Sequence, residues 1–332
     1  MSAERHVERP TVVVTRKLPA TVEEAIASRY DARFNRTDVP LTPEQMQQVL
    51  RTTDIVLCTV TDKLRAELFE GVVKTRLLAN FGVGVNHIDR DAARRAGAQI
   101  SNTPDVLTDD TADIALALIL MTMRRLGEGE RHLRSGAWSG WRPTHLMGHS
   151  PHGKTLGIIG YGRIGRALAR QATLALGMHV IWYSPRDPRV DDATTAGPAN
   201  AERVESVDAL LARADVVSLH CPATPETRHL IDARRLAIMG STSFLINTAR
   251  GDIVDEYALT NALREGVIAG AGLDVYEWEP TVVAELRDME KVVLLPHMGS
   301  GTIETRTAMG MRALANMDAL VAGQPLPDLV AF

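Results

Sequence analysis

"TLGIIGYGRIGRALA", residues 155–169, decides the fold. An apolar run ends in Gly160-x-Gly162-x-x-Gly165 and gives way to a helical pattern. Glycines at that spacing have separate tasks. The first permits a tight turn, the second lets backbone approach a pyrophosphate, and the third lets helix pack closely on strand. The helix start adds free N–H groups and a positive dipole end for phosphate. The stretch predicts a dinucleotide-binding βαβ unit. The competing reading is a glycine-rich turn that binds nothing. Two further strands at the expected spacing count against it.

The same strand–helix rhythm runs outward in both directions. Downstream lie "HVIWYS" (179–184), "DVVSLHC" (215–221), "SFLINTA" (243–249), "AGLDVY" (271–276) and "VVLLPH" (292–297). Upstream lie "TVVVTR" (11–16), "DIVLCT" (54–59), "RLLANFG" (76–82) and "AQISNT" (98–103). Short apolar runs alternating with helical patterns predict parallel sheets with crossover helices. The fold class expected is α/β, with two doubly wound parallel-sheet (Rossmann-like) domains and an active-site cleft between them. Thr21–Glu24 has capping-box spacing, and "TPEQ" at 42–45 adds a proline at the first helical turn. One long helix is expected over about 109–134, and a last one from Ile303 to about Val321. That last helix could pack on either half, so the first domain could be discontinuous in sequence.

Bulk composition excludes several classes. Of the 332 residues, 45% are hydrophobic and 23% charged, with a net charge of −4, which argues against a nucleic-acid surface. The longest apolar run, Ile114 to Met123, is too short to cross a bilayer, which needs ~20 residues. "MSAERHVERP" has no apolar stretch of the secretory kind, so a cytoplasmic location is expected. Cys58 and Cys221 read as reduced core residues. His145, His149 and His152 lie in a stretch broken by Gly148, Pro151 and Gly153, so no metal site is expected there.

An acid should follow the fingerprint by ~20 residues, to hold a ribose hydroxyl. In "HVIWYSPRDP" (179–188) the strand instead runs into Ser184, Pro185 and Arg186. A hydroxyl and a guanidinium suit a ribose 2′-phosphate, since arginine offers planar, charge-assisted hydrogen bonds to phosphate. Ser184 and Arg186, with Arg189 as a helper, therefore point to NADP(H). The competing reading has solvated loop residues here, with Asp187 on an unphosphorylated ribose of NAD(H).

Ligands of parallel sheets gather at the carboxyl ends of the strands. Arg250 follows "SFLINTA", Glu277 and Glu279 follow "AGLDVY", and His297 ends "VVLLPH". Their chemistry is complementary. A histidine can protonate a carbonyl oxygen as hydride arrives, and a nearby carboxylate favours its charged form. An arginine can fork onto a carboxylate and polarise the carbonyl beside it. Taken singly, each also has a plainer reading: Arg250 as an interdomain ion pair, Glu279 as a loop acid and His297 as a buried or capping histidine.

Several segments in order carry a resemblance: "GRIGRALA", "HCPATPETRHLI", "INTARGDIVDEYAL", "AGLDVYEWEP" and "LLPHMGSGTIETR", with "LANFGVGVNHID" and "NTPDVLTDDTADIALAL" upstream. They resemble the D-isomer-specific 2-hydroxyacid dehydrogenase family over nearly the whole chain. The resemblance implies Arg250, Glu279 (rather than Glu277) and His297 as catalytic residues. It implies a split substrate-binding, flavodoxin-like domain, 1–104 with 299–332, and a dinucleotide-binding Rossmann domain, 105–298. "FGVGV" resembles the loop whose amides at Val83 and Gly84 bind the substrate carboxylate, together with Arg250 and His297. Cofactor contacts implied are the turn Gly160, Gly162, Arg163, Ile164 and Gly165, then His220, Pro222 and Thr227 near the adenosine. Thr248, Arg250 and Thr111 are further contacts, with Asp274 for the nicotinamide amide.

"GWRPTHLMG" together with "YSPR" is most similar to the glyoxylate/hydroxypyruvate reductase branch. That implies an NADPH-preferring reductase turning small 2-oxo acids into D-2-hydroxy acids, with His297 as proton donor. It also implies a homodimer, in which Trp141 either reaches a neighbouring subunit's site or anchors the interface. The alternatives are a D-lactate-, phosphoglycerate- or phosphite-type dehydrogenase, or a non-catalytic NAD(P)H-sensing binding protein. The "FGVGVN" loop lacks the basic cluster a phosphorylated substrate would want. Gly301, where many members have alanine, is a minor departure, and the missing acid at 184 departs from NAD-using members.

Overall fold

The computed structural model describes residues 9–185, 197, 198 and 200–331. The chain forms two compact units, Met1–Leu107 with Gly301–Phe332, and Thr108–Ser300.

The first unit holds a five-stranded parallel sheet: β1 (Thr11–Val14), β2 (Asp31–Phe34), β3 (Ile55–Thr59), β4 (Leu77–Phe81) and β5 (Gln99–Ser101). Its order is β2-β1-β3-β4-β5. The inner strands β3 and β4 are covered on both faces, which is why they read as continuous apolar runs. The edge strand β2, "DARF", was not legible in the sequence: every second residue is exposed, so it has no apolar run. Helices α1 (Ala20–Ala27), α2 (Pro43–Thr52) and α3 (Arg90–Arg95) connect the strands, and the chain-terminal helix, Ile303–Val321, packs back against α1 and β4. The capping box expected at Thr42 is present, with Thr42 and Gln45 exchanging both bonds. The one expected at Thr21 is absent. Helix α1 starts at Ala20 after Pro19, and Glu23 turns back to the Leu18 amide instead.

The second unit holds seven parallel strands: β6 (Thr155–Ile159), β7 (His179–Tyr183), β8 (Glu202–Arg203), β9 (Val216–Leu219), β10 (Phe244–Asn247), β11 (Gly270–Leu273) and β12 (Val292–Leu294). The order β12-β11-β10-β9-β6-β7-β8 reverses between β6 and β9. A crevice opens at such a switch point, past the strand ends. The sequence reading missed β8, whose two residues are both exposed. The expected helix over 109–134 is two helices, α4 (Thr108–Met123) and α5 (Leu126–Arg134). They part at Arg125, whose φ of +54° no helix interior accepts, and whose guanidinium forks onto Glu128 at 2.6 and 2.7 Å.

Two apolar layers cover this sheet. One packs α7 (Val207–Leu211), α8 (Ala233–Met239) and α9 (Glu256–Glu265) around Leu210, Leu236 and Leu263. The other packs α4 and α6 (Arg163–Leu176) around Leu118, Leu168 and Trp182. Trp182 is fully buried and stacks on Tyr161 at 4.4 Å, which joins the strand before the ribose end to the glycine turn. Cys58 and Cys221 are both free and buried, as their apolar surroundings led us to expect. The final helix spans Ile303–Val321, as expected, and Thr302 caps it.

Candidate active site

The phosphate turn is set by what cannot fit. Gly160 has φ +96°, and a Cβ there would overlap the backbone of His220 and Cys221. A Cβ on Gly165 would lie 2.5 Å from the Gly160 carbonyl, so helix α6 could not start so close to β6. Gly162, the helix cap, is different: a Cβ there would enter open space. The cradle is therefore tight behind and open in front. The first amides of α6, from Arg163 to Gly165, have no partner within their own helix. The His220 amide binds the Ile159 carbonyl at 2.8 Å, and its ring meets Ser218 at 2.8 Å. Burial pushes the His220 imidazole down to about 4, so it is neutral at physiological pH.

At the ribose end, Ser184 is buried and its Oγ accepts the Tyr161 amide at 2.7 Å. Ser184 thus takes the turn amide that a strand-end acid would take, while keeping a hydroxyl proton to donate. Arg186, with Asp187 and Arg189, lies outside the described residues. Arg203 on β8 donates to the Ser184 carbonyl at 3.2 Å and holds its guanidinium 5.6 Å from the Trp182 ring. Nearby, the Thr227 hydroxyl donates to the Pro222 carbonyl at 2.7 Å and accepts the Thr224 amide at 2.8 Å, closing the turn after β9.

The opposite edge of the sheet brings the three ionisable groups forward. Past β10, the Asn247 side chain folds the chain back on itself, taking the Ala249 amide and donating to the Arg250 carbonyl at 2.9 Å. Burial lowers the Arg250 pKa, against Glu279 and Asp252, and leaves the guanidinium cationic. The Thr248 hydroxyl is buried with no partner among the described residues. Past β11, Asp274 pins the histidine turn. Its two carboxylate oxygens accept the Met298 and Gly299 amides at 2.6 and 2.8 Å, and its carbonyl accepts the His297 amide at 2.9 Å. That grip holds His297 at φ +57°. Thr111 closes the turn from α4, donating to the Gly299 carbonyl at 2.9 Å.

The two acids of "EWEP" part company. Glu279 meets His297, with Oε2 2.9 Å from Nδ1, while its Oε1 accepts the Tyr276 amide at 3.0 Å. Burial raises the Glu279 pKa. The His297 bond and charge, the Tyr276 amide and Arg250 outweigh it, so the carboxyl sits below its usual range. With Nδ1 committed to Glu279, Nε2 is the histidine nitrogen left for a substrate. Glu277 turns the other way, buried against Arg228 at 2.9 Å and His229 at 2.8 Å.

In the first unit, the loop after β4 turns its carbonyls inward. Gly82 and Gly84 carbonyls accept the Asn80 side-chain amide at 2.9 and 3.1 Å, and the Val83 carbonyl accepts Asn102 at 2.9 Å. The Val83 and Gly84 amides donate to no partner among the described residues. Consecutive unused amides of this kind can form an anion-binding nest.

Residues 116–299 match the NAD-binding domain of the D-isomer-specific 2-hydroxyacid dehydrogenases. The chain belongs to that family. A glyoxylate reductase from Thermococcus litoralis is 41% identical over 329 residues, covering 97% of each chain. An NADPH-dependent glyoxylate/hydroxypyruvate reductase from Sinorhizobium meliloti, solved with NADP and malonate, superposes with a TM-score of 0.85 at 32% identity, covering 97% of both chains. A glyoxylate reductase from Paecilomyes thermophila gives a TM-score of 0.83 at 32% identity, over 97% of this chain and 98% of that one. The protein is therefore an NAD(P)-dependent oxidoreductase of two parallel-sheet α/β domains. None of its described helices is long and apolar enough to cross a membrane.

Sequence reasoning about this dehydrogenase missed a supporting layer. Buried Glu256, at the start of α9, accepts the Glu277 amide at 2.9 Å and the Val283 amide at 3.1 Å, so it grips both ends of the loop that carries Glu279. Its signal was the acid at the first helical position of "DEYAL", which reads equally as an ordinary dipole-stabilising residue. Asn80 and Arg203 were missed as well, because a polar residue inside an apolar strand and a two-residue strand carry no pattern. Of the three histidines set aside as metal ligands, two make ring contacts: the His149 ring meets Phe244, and the His145 ring meets His132.

Proposed function

We propose that the enzyme is an NADPH-preferring reductase of small 2-oxo acids, glyoxylate or hydroxypyruvate, producing D-2-hydroxy acids. The Glu279–His297 bond is the observation that carries this reading. A histidine fixed by a carboxylate on Nδ1 presents Nε2 as a proton donor, which is what carbonyl reduction requires. His297 then protonates the carbonyl oxygen as the hydride reaches carbon, and Glu279 holds the imidazole in place through Nδ1. Arg250 and the Val83 and Gly84 amides hold the substrate carboxylate, and the Arg250 charge polarises the adjacent carbonyl.

The chain fits a dinucleotide. The glycine cradle is open at Gly162, and the buried Thr248 hydroxyl awaits an acceptor or donor. Bound NADPH supplies the hydride. Gly160, Gly162, Arg163, Ile164 and Gly165 hold its pyrophosphate, while His220, Pro222 and Thr227 flank the adenosine. Thr248, Asp274 and Thr111 frame the nicotinamide. Ser184 and Arg186 read the 2′-phosphate, since neither repels it as an acid would. The relatives named as glyoxylate reductases, one of them NADPH-dependent, support both the substrate class and this cofactor preference.

We further infer a cytoplasmic homodimer. Leu133, Trp138, Trp141 and Met147 all project apolar surface on one segment, Trp141 with 81% exposed, and such clustered surface marks an interaction face. The test of the main reading is a panel of 2-oxo acids assayed with NADPH and NADH in parallel. Glyoxylate or hydroxypyruvate with NADPH is expected to give the highest kcat/KM. Faster turnover of a bulky or phosphorylated 2-oxo acid, or of NADH, would replace it.

A further inference from the structure

We propose that Asn80 is a positioning residue for the substrate carboxylate, acting with Asn102 by orienting the peptide planes of the loop at Gly82–Gly84. The inference rests on the reading that the Val83 and Gly84 amides receive that carboxylate. Asn80 lies near the end of β4, an inner strand of the first sheet, paired with Cys58 and 1% exposed. A buried primary amide is costly unless its hydrogen bonds are made. Its Nδ2 makes two, to the carbonyls of Gly82 and Gly84, while its Oδ1 has no hydrogen-bond partner among the described residues. The Gly82 carbonyl also accepts the Thr103 amide at 3.1 Å, and the Val83 carbonyl accepts Asn102.

The consequence follows from peptide planarity. In a trans peptide the carbonyl of one residue and the N–H of the next lie in one plane and point in opposite directions. Drawing the Gly82 carbonyl toward Asn80 therefore turns the Val83 N–H away from it. Drawing the Val83 carbonyl toward Asn102 turns the Gly84 N–H away likewise. Two consecutive amides are thereby presented outward without any helix to align them. Asn80 touches no substrate in this scheme; it sets the direction of the groups that do.

The test is a comparison of wild type, Asn80→Asp and Asn102→Ala. Asn80→Asp keeps the side-chain volume but sets a carboxylate against two carbonyl oxygens. Asn102→Ala removes one partly exposed bond and guards against a folding defect in the first variant. Oxalate is titrated calorimetrically into each NADPH-loaded protein, and 2-oxo acid turnover is measured alongside. Losing a net hydrogen bond or two of orientation should weaken oxalate binding and raise substrate KM about tenfold in Asn80→Asp, and about two- to fivefold in Asn102→Ala. The NADPH Kd and kcat should stay within about twofold, since a loss confined to uniform substrate binding appears in KM. Unchanged oxalate affinity in both variants, or kcat and NADPH affinity falling together with Tm, would overturn the positioning role. Wild type that binds oxalate in an Asn80-dependent way but reduces no 2-oxo acid would leave this proposal standing and sink the functional one. Wild type that binds no oxalate would sink both.

Discussion

Two turns of this molecule are proposed to offer backbone amides to an anion, and they are built on opposite principles. At the glycine turn the first amides of α6 have no acceptor within their own helix, and Gly160 and Gly165 must be glycine because Cβ atoms would collide with His220, Cys221 and the Gly160 carbonyl. At Gly82–Gly84 the amides are free because side chains from Asn80 and Asn102 hold the carbonyls. The first turn is defined by an absence of atoms, the second by added hydrogen bonds. Steric exclusion leaves a fixed residue pattern that can be read in sequence. A tie made by a side chain from a buried strand leaves none.

The contrast predicts different sensitivities. The largest effect is expected for Gly160→Ala. Alanine at φ +96° carries backbone strain of about 1–3 kcal/mol before any overlap is counted. Fluorescence titration should show that NADPH no longer saturates the variant where it saturates wild type, with a lowered Tm. Normal cofactor binding would mean that the turn has more slack than its geometry indicates, and the two turns would no longer differ in kind.

The next effect separates chemistry from either turn. His297→Asn should lower kcat by about 10²–10⁴-fold while the NADPH Kd stays unchanged. Glu279→Gln should also lower kcat, because His297 loses the carboxylate that holds its Nδ1. A kcat near wild type in His297→Asn would remove that residue from proton transfer. Glu279 also links stability to acid: its folded pKa is depressed, so its contribution is present above the ordinary carboxylate value and is lost as pH falls through the lower folded one.

The smallest effect concerns the ribose end. Ser184→Asp with Arg186→Ala should move the NADPH/NADH ratio of kcat/KM toward NADH by about tenfold per lost or reversed contact of ~1.4 kcal/mol. An unchanged ratio would place the reading of the 2′-phosphate elsewhere, and Arg203, held beside the Ser184 carbonyl, is then the side chain to vary next.

Legibility followed burial. Inner strands such as β4, β9 and β10 were visible as apolar runs because both faces are covered. The edge strands β2 and β8 were not, because half or all of their residues face water. The break between α4 and α5 was also hidden, since Arg125 is no marker of a positive φ and its fork onto Glu128 appears only once the chain has turned. At the site, residue types at strand ends proposed Arg250 and His297. The choice between Glu277 and Glu279 needed family resemblance, and the structure shows the physical difference: one faces His297, the other is consumed by Arg228 and His229.

By itself the sequence determined what local sterics and periodicity impose: parallel α/β layering, the glycine turn, and a serine where an acid would repel a phosphate. Tertiary structure decided what depends on groups far apart in the chain. Asp274 holding the turn of His297, Glu256 gripping the Glu279 loop from 21 and 27 residues away, and Asn102 reaching back 19 residues to Val83 are of this kind. Each is a hydrogen bond between side chain and backbone, and such a bond constrains direction without demanding any pattern in the residues between.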